Sequence, residues 1–393
     1  MKACLATTVV LALCGLLTAQ ADQPLPEIIW MTNGPDAHFD VVRSVAFSAD
    51  SSRLASGSQD RHAKVWSVPD GALLRDVYTV NEWVMAVGLS SDGSLLATGG
   101  DDGATRMWQL SDGRRLWQTG QSENIIRSVA FTLDGTRMAD ASRFGVIAVR
   151  DPVTGSGVPF DAHDDDVTTV AFSADGSRLA SSSLDGSARI WRVSDAAVIQ
   201  VFSGHSILST NEEENVFNAV WSVDISPDGS LVATSGADQT IRLWRMSDGV
   251  QVRVIPSINC TVVKFSADGQ LLLTANLGPI NVWRVSTGQL LCSYPDANAL
   301  PLAVAPNGRY FAYGRFDGSV VLALMPLWSE SITHTNDEVT LRWQGGSGRY
   351  QVQARSELGG SSWKNLGAPT TNTVFTHTCL SPIFYRVVSL PNP

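Results

Sequence analysis

The chain has 393 residues, of which 44% are hydrophobic and 17% are charged, and its formal net charge at pH 7 is −10. This hydrophobic content is ample for a core, and the low charge fits many short buried strands better than helices. The acidic balance and the lack of any Lys/Arg-rich run argue against nucleic acid or an anionic membrane surface as a partner.

The N-terminus has the pattern of a secretory signal peptide. Lys2 precedes an apolar stretch over 4–17, and Ala19-Gln20-Ala21 has the small-residue spacing of a cleavage site. We therefore predict that residues 1–21 are removed and that the protein is exported to the periplasm or the extracellular space. The alternative is that this stretch is a first strand or helix of the core. No other run approaches the roughly 18 apolar residues of a membrane helix.

Cysteine usage does not indicate a disulfide framework. Three of the five cysteines lie beyond residue 21, at Cys260, Cys292 and Cys379. We place Cys260 in the inner strand and Cys292 in the outer strand of one repeat, roughly 10–15 Å apart by strand spacing. That separation is too long for a disulfide, so we predict buried free thiols.

One sequence unit, residues 163–191, shows how most of the chain is built. It reads HDDDVTTVAFSADGSRLASSSLDGSARIW and contains three strand-like runs joined by two turn signals. Val167–Phe172 is β-branched and aromatic, as strands prefer. Asp175-Gly176 supplies a turn, and Asp185-Gly186 is a two-residue hairpin signal. A fourth run over 197–202 completes four strands within about forty residues.

This unit recurs through residues 27–325. The tryptophan that closes the third run recurs at Trp66, Trp108, Trp191, Trp244 and Trp283. A period of about 40–45 residues with four strands per unit is typical of a propeller, because one such sheet needs neighbours to bury its faces. The pattern resembles the WD40 repeat family, although the Trp-Asp dipeptide is absent and Gly-His occurs once. The resemblance implies an all-β, seven-bladed propeller, which we place at residues 22–326, and a small β-sandwich is predicted to follow it.

The two ends of the predicted propeller complement each other. Glu27–Met31 is a lone strand-like run, and the seventh unit has only three runs before Pro326. An open ring would leave exposed sheet edges, so we predict that Glu27–Met31 closes it as the missing fourth strand. The alternative is a disordered N-terminal arm.

Beyond Pro326 the forty-residue repeat ends. Residues 330–393 contain strand-like runs at Val339–Trp343, Tyr350–Arg355, Thr373–Thr378 and Phe384–Val388. This region resembles a fibronectin type III or immunoglobulin-like sandwich, with Trp343 in its core. About 64 residues is short for that fold, which usually has about 100. We predict a small all-β domain over 330–393.

The WD40 resemblance also implies a hydrogen-bonded network of a loop His, a second-strand Ser or Thr, a hairpin Asp and the Trp. The matching residues are His38, Asp60 and Trp66; His163, Asp185 and Trp191; and His205, Asp238 and Trp244. Partial sets are Asp102 with Trp108, and Asp317 alone. The implied role is structural, since a buried carboxylate needs donors.

The alternative for these residues is a catalytic Asp–His pair. The pairs recur without an associated nucleophile, and the sequence has none of the common hydrolase, metalloprotease or phosphate-binding motifs. We therefore predict no catalytic residue, metal ion or cofactor. We expect the remaining histidines, His62, His334 and His377, to be isolated and exposed.

Two acidic loops are predicted to share one rim with an aromatic residue. In antiparallel blades, the loop that leads into the first strand and the hairpin between strands two and three lie at the same end. Asp161, Asp164, Asp165 and Asp166 lead into unit four, Glu212, Glu213 and Glu214 lead into unit five, and Trp83 leads into unit two. We predict that this rim binds a basic protein or peptide, with Trp83 as an anchor. The alternatives are a solvated edge and weak cation binding, although the spacing is not that of a calcium loop.

The sequence therefore predicts a monomeric, non-catalytic, exported binding scaffold. One alternative is a glycan- or wall-binding protein that acts through its C-terminal domain. Another is a propeller hydrolase or oxidoreductase, for which a central ring of carboxylates, histidines or a metal would be required.

Overall fold

Short strands joined by tight turns make up almost all of the structure. The computed structural model describes residues 8–11, 27–79, 82–121, 124–205, 218–258, 260–275, 278–294, 299–326, 328–335, 338–344, 350–355, 364–366, 368–372, 374–378 and 384–389. Two strands precede the first repeat, β1 Thr8–Leu11 and β2 Ile28–Met31, and the short 3-10 turn Gly34–Asp36 follows them.

Residues 42–324, together with β2, form seven four-stranded antiparallel sheets, which we call blades one to seven. Blades one to three contain β3 Val42–Phe47, β4 Arg53–Ser58, β5 His62–Ser67, β6 Leu73–Tyr78, β7 Val84–Leu89, β8 Leu95–Gly100, β9 Thr105–Gln109, β10 Arg115–Gln118, β11 Ile126–Phe131, β12 Met138–Ser142, β13 Val146–Arg150 and β14 Gly157–Asp161. The 3-10 turn Arg143–Gly145 joins β12 to β13.

Blades four to six repeat this order. They contain β15 Val167–Phe172, β16 Arg178–Ser183, β17 Ser187–Arg192, β18 Val198–Ser203, β19 Val220–Ile225, β20 Leu231–Gly236, β21 Thr240–Arg245, β22 Gln251–Pro256, β23 Val262–Phe265, β24 Leu271–Ala275, β25 Ile280–Arg284 and β26 Leu290–Tyr294. The core lies between consecutive sheets: Ile190 and Phe202 of blade four, for example, pack with Val223 and Trp244 of blade five. The prediction of a seven-bladed all-β propeller is confirmed.

Blade seven takes its outermost strand from the N-terminal end of the propeller. Its order is β2, β29 Val320–Leu324, β28 Tyr310–Arg315 and β27 Ala299–Val304. The Thr32 N–H donates to the Val320 carbonyl at 2.9 Å, and the Leu324 N–H donates to the Glu27 carbonyl at 2.9 Å. Trp30 extends the connection by donating its indole N–H to the Val68 carbonyl of blade one.

Side-chain hydroxyls link the inner strands of consecutive blades. The inner strand of a blade has one edge without a partner strand, and its backbone groups need other partners. Ser44 Oγ of β3 accepts a hydrogen bond from the Val87 N–H of β7 at 3.1 Å. Ser128 Oγ of β11 accepts one from the Val170 N–H of β15 at the same distance. β27 in turn lies beside β3, so the ring of inner strands is continuous.

The strands beyond residue 327 form two further sheets. β30 Trp328–Thr335, β31 Glu338–Gln344 and β34 Val374–Thr378 form a three-stranded sheet. β1 pairs with β35 Phe384–Ser389, which pairs with β32 Tyr350–Arg355 and through it with β33 Lys364–Asn365. The stretch predicted as the apolar part of a signal peptide therefore contains a strand, with Thr8 opposite Val388.

The cysteines are placed slightly differently from the prediction. Cys292 lies in the outer strand β26, but Cys260 precedes the inner strand β23 instead of lying within it. Both are buried free thiols, and burial raises the pKa of Cys260 to about 12 and that of Cys292 to about 11. Both thiols are therefore protonated and unreactive at neutral pH. Cys379 lies outside the described residues.

Removal of residues 22–32 should lower the melting temperature substantially and broaden the transition, because blade seven then loses its outer strand and its link to blade one. The matched control is Ile29→Ser, which changes an exposed side chain of β2 and keeps its backbone hydrogen bonds. Thermal unfolding followed by circular dichroism measures both. An unchanged curve for the deletion would contradict the role of β2 in ring closure.

Candidate functional site

A directional chain of hydrogen bonds connects the loop, the second strand, the hairpin and the third strand of blade one. Trp66 Nε1 lies 2.9 Å from Ser56 Oγ, which lies 2.7 Å from His38 Nε2. His38 Nδ1 lies 2.8 Å from Asp60 Oδ2. An indole N–H only donates, so Ser56 must give its own proton to His38 Nε2, and His38 must donate from Nδ1 to Asp60. Every member is satisfied by this one arrangement.

Blades four and five contain the same chain of contacts. The His–Asp distance is 2.8 Å in both, and the His–hydroxyl distance is 2.7 Å in both. The members are His163, Ser181, Asp185 and Trp191 in blade four, and His205, Thr234, Asp238 and Trp244 in blade five. The His, Asp and Trp of these three blades are the residues that the WD40 resemblance implied. Residues 206–217, which lie outside the described residues, separate His205 from the rest of its set.

Other blades keep only parts of this arrangement. In blade two, Asp102 pairs with the Arg106 guanidinium and with Gln121, while Trp108 donates to Thr98 Oγ1 at 3.0 Å. In blade seven, Asp317 accepts hydrogen bonds from the N–H and the hydroxyl of Ser319.

Blade three replaces the tryptophan and its hydroxyl partner by an ion pair. Arg150 stands at the position of the tryptophan, and Asp140 stands ten residues earlier, at the position of the serine. The second and third strands of blade three are therefore joined at these positions by an ion pair instead of a tryptophan–hydroxyl hydrogen bond.

Burial and hydrogen bonding set the protonation states of these groups. Burial alone would raise the pKa of Asp60, but the His38 imidazole and the N–H groups of His62 and Phe39 lower it to about 2. Burial disfavours the imidazolium form and lowers the pKa of His38 and of His205, in spite of the neighbouring carboxylates. Neutral histidine beside ionised aspartate agrees with the hydrogen-bond directions.

The order Ser–His–Asp is also that of a hydrolase triad, and accessibility separates the two roles. Ser56 and Ser181 are 0% exposed, and the oxygen of each already accepts the tryptophan N–H. No substrate carbonyl can approach such an oxygen without opening the blade. The geometry suits bracing of the hairpin and does not suit nucleophilic attack.

The lead-in loops of blades four and one pack on the hairpins of the preceding blades, three and seven. The Gly145 carbonyl in blade three accepts hydrogen bonds from the N–H groups of Ala162 and His163, and the Gly318 carbonyl in blade seven accepts one from His38. A Cβ on Gly145 would lie 1.8 Å from the His163 carbonyl oxygen, and one on Gly318 would lie 2.1 Å from that of His38. Both glycines also have φ near +80° (+78° and +82°), so only glycine fits this contact.

The predicted acidic sector is smaller than the sequence suggested. Asp161, Asp164 and Asp165 are exposed. Asp166 is buried, and its carboxylate accepts hydrogen bonds from Arg127 Nη2 at 2.7 Å and from the Phe144 N–H at 3.1 Å. Asp166 therefore joins two blades and is not open to a ligand. Glu212, Glu213 and Glu214 lie outside the described residues.

Among the described residues of the same rim, Phe39, Trp83, Phe144 and Phe316 are exposed aromatic side chains, and the sequence had indicated only Trp83. The exposed fraction is 80% for Phe39, 44% for Trp83, 59% for Phe144 and 43% for Phe316. Phe39 lies in the lead-in loop of blade one and Trp83 in that of blade two. Phe144 lies in the hairpin of blade three and Phe316 in that of blade seven. We call these four residues the aromatic sector. Phe144 stands where blade four has Asp185, and that departure from the repeat is a signal the sequence offered.

Two further expectations concern histidines and metals. His62 is not isolated: its Nδ1 lies 2.6 Å from Asp76, and its ring lies 5.1 Å from that of Tyr78. The side chains of His334 and His377 lie outside the described part of the structure.

Within the described ranges, no group of three or more His, Cys, Asp or Glu residues is placed to hold a metal ion. No helix in that same part of the chain is long and apolar enough to cross a membrane.

Seven four-stranded sheets arranged in sequence around a ring define the class of this protein as a β-propeller. The family described as "WD domain, G-beta repeat" matches residues 32–67, 74–109, 156–192 and 197–245. These four matched stretches lie within blades one to five and support a WD40 β-propeller.

The chain is similar to proteins named eukaryotic translation initiation factor 3 subunit I. The relative from Aspergillus terreus is 29% identical over 157 residues, which are 36% of this chain and 44% of the relative. The relative from Coccidioides immitis is 33% identical over 123 residues, or 26% of this chain and 36% of the relative. The chain thus spans less than half the length of these curated relatives.

The prediction of export is wrong. The relatives are named as subunits of a translation initiation factor, and translation takes place inside the cell. The prediction rested on the N-terminal pattern of a charge, an apolar stretch and small residues, of which residues Thr8–Leu11 form β1 in the structure.

Asp185→Ala should lower the free energy of unfolding by about 1–3 kcal/mol, because His163 and the Ser187 N–H lose their acceptor. The matched control is Asp70→Ala, which removes an exposed turn carboxylate that accepts the Ala72 N–H and should cost far less. Urea unfolding at pH 7 measures both. Equal losses would contradict the structural role of Asp185.

The histidines should make stability fall as the pH drops from 7 to 5. The pKa of folded His38 and His205 lies below 6.5, so the unfolded chain takes up more protons in this range and is favoured. The Asp60 contribution, present above pH 3.8, is lost only as the pH falls toward about 2. The double variant His38→Gln/His205→Gln should show a smaller fall in melting temperature between pH 7 and 5. A fall equal to that of the wild type would contradict the assignment.

Proposed function

We propose that this protein is a non-catalytic scaffold for protein–protein interaction, and that a partner binds to the aromatic sector. The observation that carries this proposal is the placement of Phe316, Phe39, Trp83 and Phe144 on four successive blades of one rim. Exposed aromatic side chains grouped in this way are typical of interaction sites, where they supply most of the binding energy.

The aromatic sector is held in place by rigid parts of the fold. The Trp83 N–H donates to Asp101 Oδ1 at 2.9 Å, and the Phe39 N–H donates to Asp60 Oδ2 at 3.0 Å. Phe144 has a φ of 62°, an uncommon value for a bulky residue, and its N–H is fixed by Asp166. Ordering these loops in advance lowers the entropy cost of binding.

The chemistry of the rim favours binding over catalysis. The Ser–His–Asp groups are buried and fully engaged with one another, which removes the obvious nucleophile for a hydrolase. The relatives support the same conclusion, because their name describes a subunit of a larger factor. We propose by analogy that this chain works within a protein assembly.

The acidic lead-in loop of blade four is a second contact region in this proposal. Asp161, Asp164 and Asp165 are exposed on or next to it and suit a basic segment of the partner. We further propose that the propeller spans residues 22–326, and that residues 330–393 form a separate fibronectin type III or immunoglobulin-like sandwich. The sheet of β30, β31 and β34 and the sheet of β35, β32 and β33, to which β1 adds an edge strand, support the second assignment.

The test compares protein capture by two sets of variants. The variant Phe39→Ser/Trp83→Ser/Phe144→Ser/Phe316→Ser should capture at least about tenfold less partner protein from an extract of the source cells than the wild type does. The control is Leu133→Ser/Val153→Ser, which removes exposed apolar side chains from the turns at the opposite end of blade three. Quantitative mass spectrometry measures the captured proteins, and capture in 0.1 M and 0.5 M salt reports the acidic contact.

A photo-crosslinking residue at position 83 should attach to the captured partner, and the same residue at position 153 should not. Equal capture by both variants, or equal crosslinking at both positions, would contradict binding at the aromatic sector.

A further inference from the structure

The inner strands of blades one to five share a β-bulge at their second residue. In each, the register with the neighbouring strand shifts between the first and third residues. A bulge leaves its extra residue without a place in the ladder and redirects its side chain. The bulged residues are Arg43, Met85, Arg127, Thr168 and Trp221.

Two of these bulges show where the side chain reaches. Arg127 of blade three donates from Nε and Nη2 to Asp166 Oδ2, at 3.1 and 2.7 Å. Asp166 is the residue directly before β15, the inner strand of blade four. Thr168 of blade four donates to the Val220 carbonyl at 2.7 Å, at the start of β19 in blade five. The bulged residue thus contacts the beginning of the next inner strand.

Arg43 has the position of Arg127 but lacks its partner. Asp166 corresponds in blade two to Trp83, the residue directly before β7. Its indole has no oxygen that could accept a hydrogen bond from a guanidinium. Across the described ranges, the Arg43 side chain makes no hydrogen bond or ion pair, and its Nε is shielded from solvent. A buried N–H without an acceptor is costly. Arg43 as a whole is only half-buried, so a carboxylate supplied from outside can reach its guanidinium and pair with it.

We propose that Arg43 binds an aspartate or glutamate carboxylate of an extended partner peptide, whose neighbouring apolar side chain rests on Trp83 and Phe39. This inference rests on the proposed binding at the aromatic sector and adds the chemistry of the bound segment. The protein itself provides the precedent: Arg127, which has the same position in blade three, pairs its guanidinium with the Asp166 carboxylate of blade four. An arginine fork fits a carboxylate better than a lysine would, because it offers parallel donors.

The experiment starts from a displayed library of random 12-residue peptides selected on the full-length protein. The enriched peptides should contain an acidic residue next to an aromatic or aliphatic one. In a synthetic copy of such a peptide, Asp→Asn or Glu→Gln should weaken binding at least tenfold, as should Arg43→Gln in the protein. The two changes combined should weaken binding little more than either alone, because each removes the same ion pair.

Arg137→Gln is the matched control, since Arg137 is an exposed arginine near the turn at the opposite end of blade three. It should leave the affinity unchanged, and an unchanged melting temperature for Arg43→Gln establishes that this variant is folded. Enriched peptides without an acidic residue, or peptides that bind Arg43→Gln as tightly as the wild type, would overturn the inference. If those peptides still lose binding in Trp83→Ser, the aromatic sector remains the site; if they bind that variant equally well, the proposed function fails too.

Discussion

The contact between one blade and the next is the interaction on which the rest of this structure depends. A four-stranded sheet has two apolar faces and two free edges, and neither is stable in water alone. Here the faces pack against neighbouring sheets, and serine hydroxyls such as Ser44 and Ser128 satisfy N–H groups on the next inner strand. Where Gly145 and Gly318 occur, the hairpin carbonyl also binds the lead-in loop of the following blade. At these places the rim is therefore formed jointly by the hairpin of one blade and the lead-in loop of the next.

This construction explains why structural and binding residues lie side by side. The hairpin aspartates point inward to histidine and are fully occupied, as for Asp60 and Asp185. The residue next to each network, such as Phe39 beside His38, is held by the same aspartate but projects outward. A rigid, satisfied interior thus fixes the loop, and the variable neighbour determines what the rim binds. In blade three, Phe144 takes the hairpin position itself and Asp166 of the next blade supplies the carboxylate.

Much of the fold was readable from the sequence because its signals repeat. Turn glycines, hairpin aspartates and Trp66 or Trp191 recur at fixed spacing, and the seventh unit visibly lacks a strand. The fate of individual charges was not readable, because it depends on contacts between blades: Asp166 appeared to be a free rim carboxylate, yet Arg127 lies 39 residues away in the chain and binds it. The exposure of Phe39 and Phe316 was missed for a similar reason, since a single aromatic in a loop has no periodicity. The localisation was predicted wrongly from the N-terminal stretch, because composition alone does not report the compartment in which a protein works.

The closing strand also imposes an order in time. Thr32 and Val320 are hydrogen-bonded partners separated by 288 residues, and a ribosome adds about 5–20 residues per second. Residues 28–31 therefore wait roughly 15–60 s before the strand they pair with has been synthesised. During that interval the apolar side chains of Ile28, Ile29 and Trp30 and the backbone groups between them have no partner strand to pair with. The closing strand is therefore left without its partner for longer than the other strands of the ring, and factors that cover residues 28–31 during synthesis should raise the yield of folded protein.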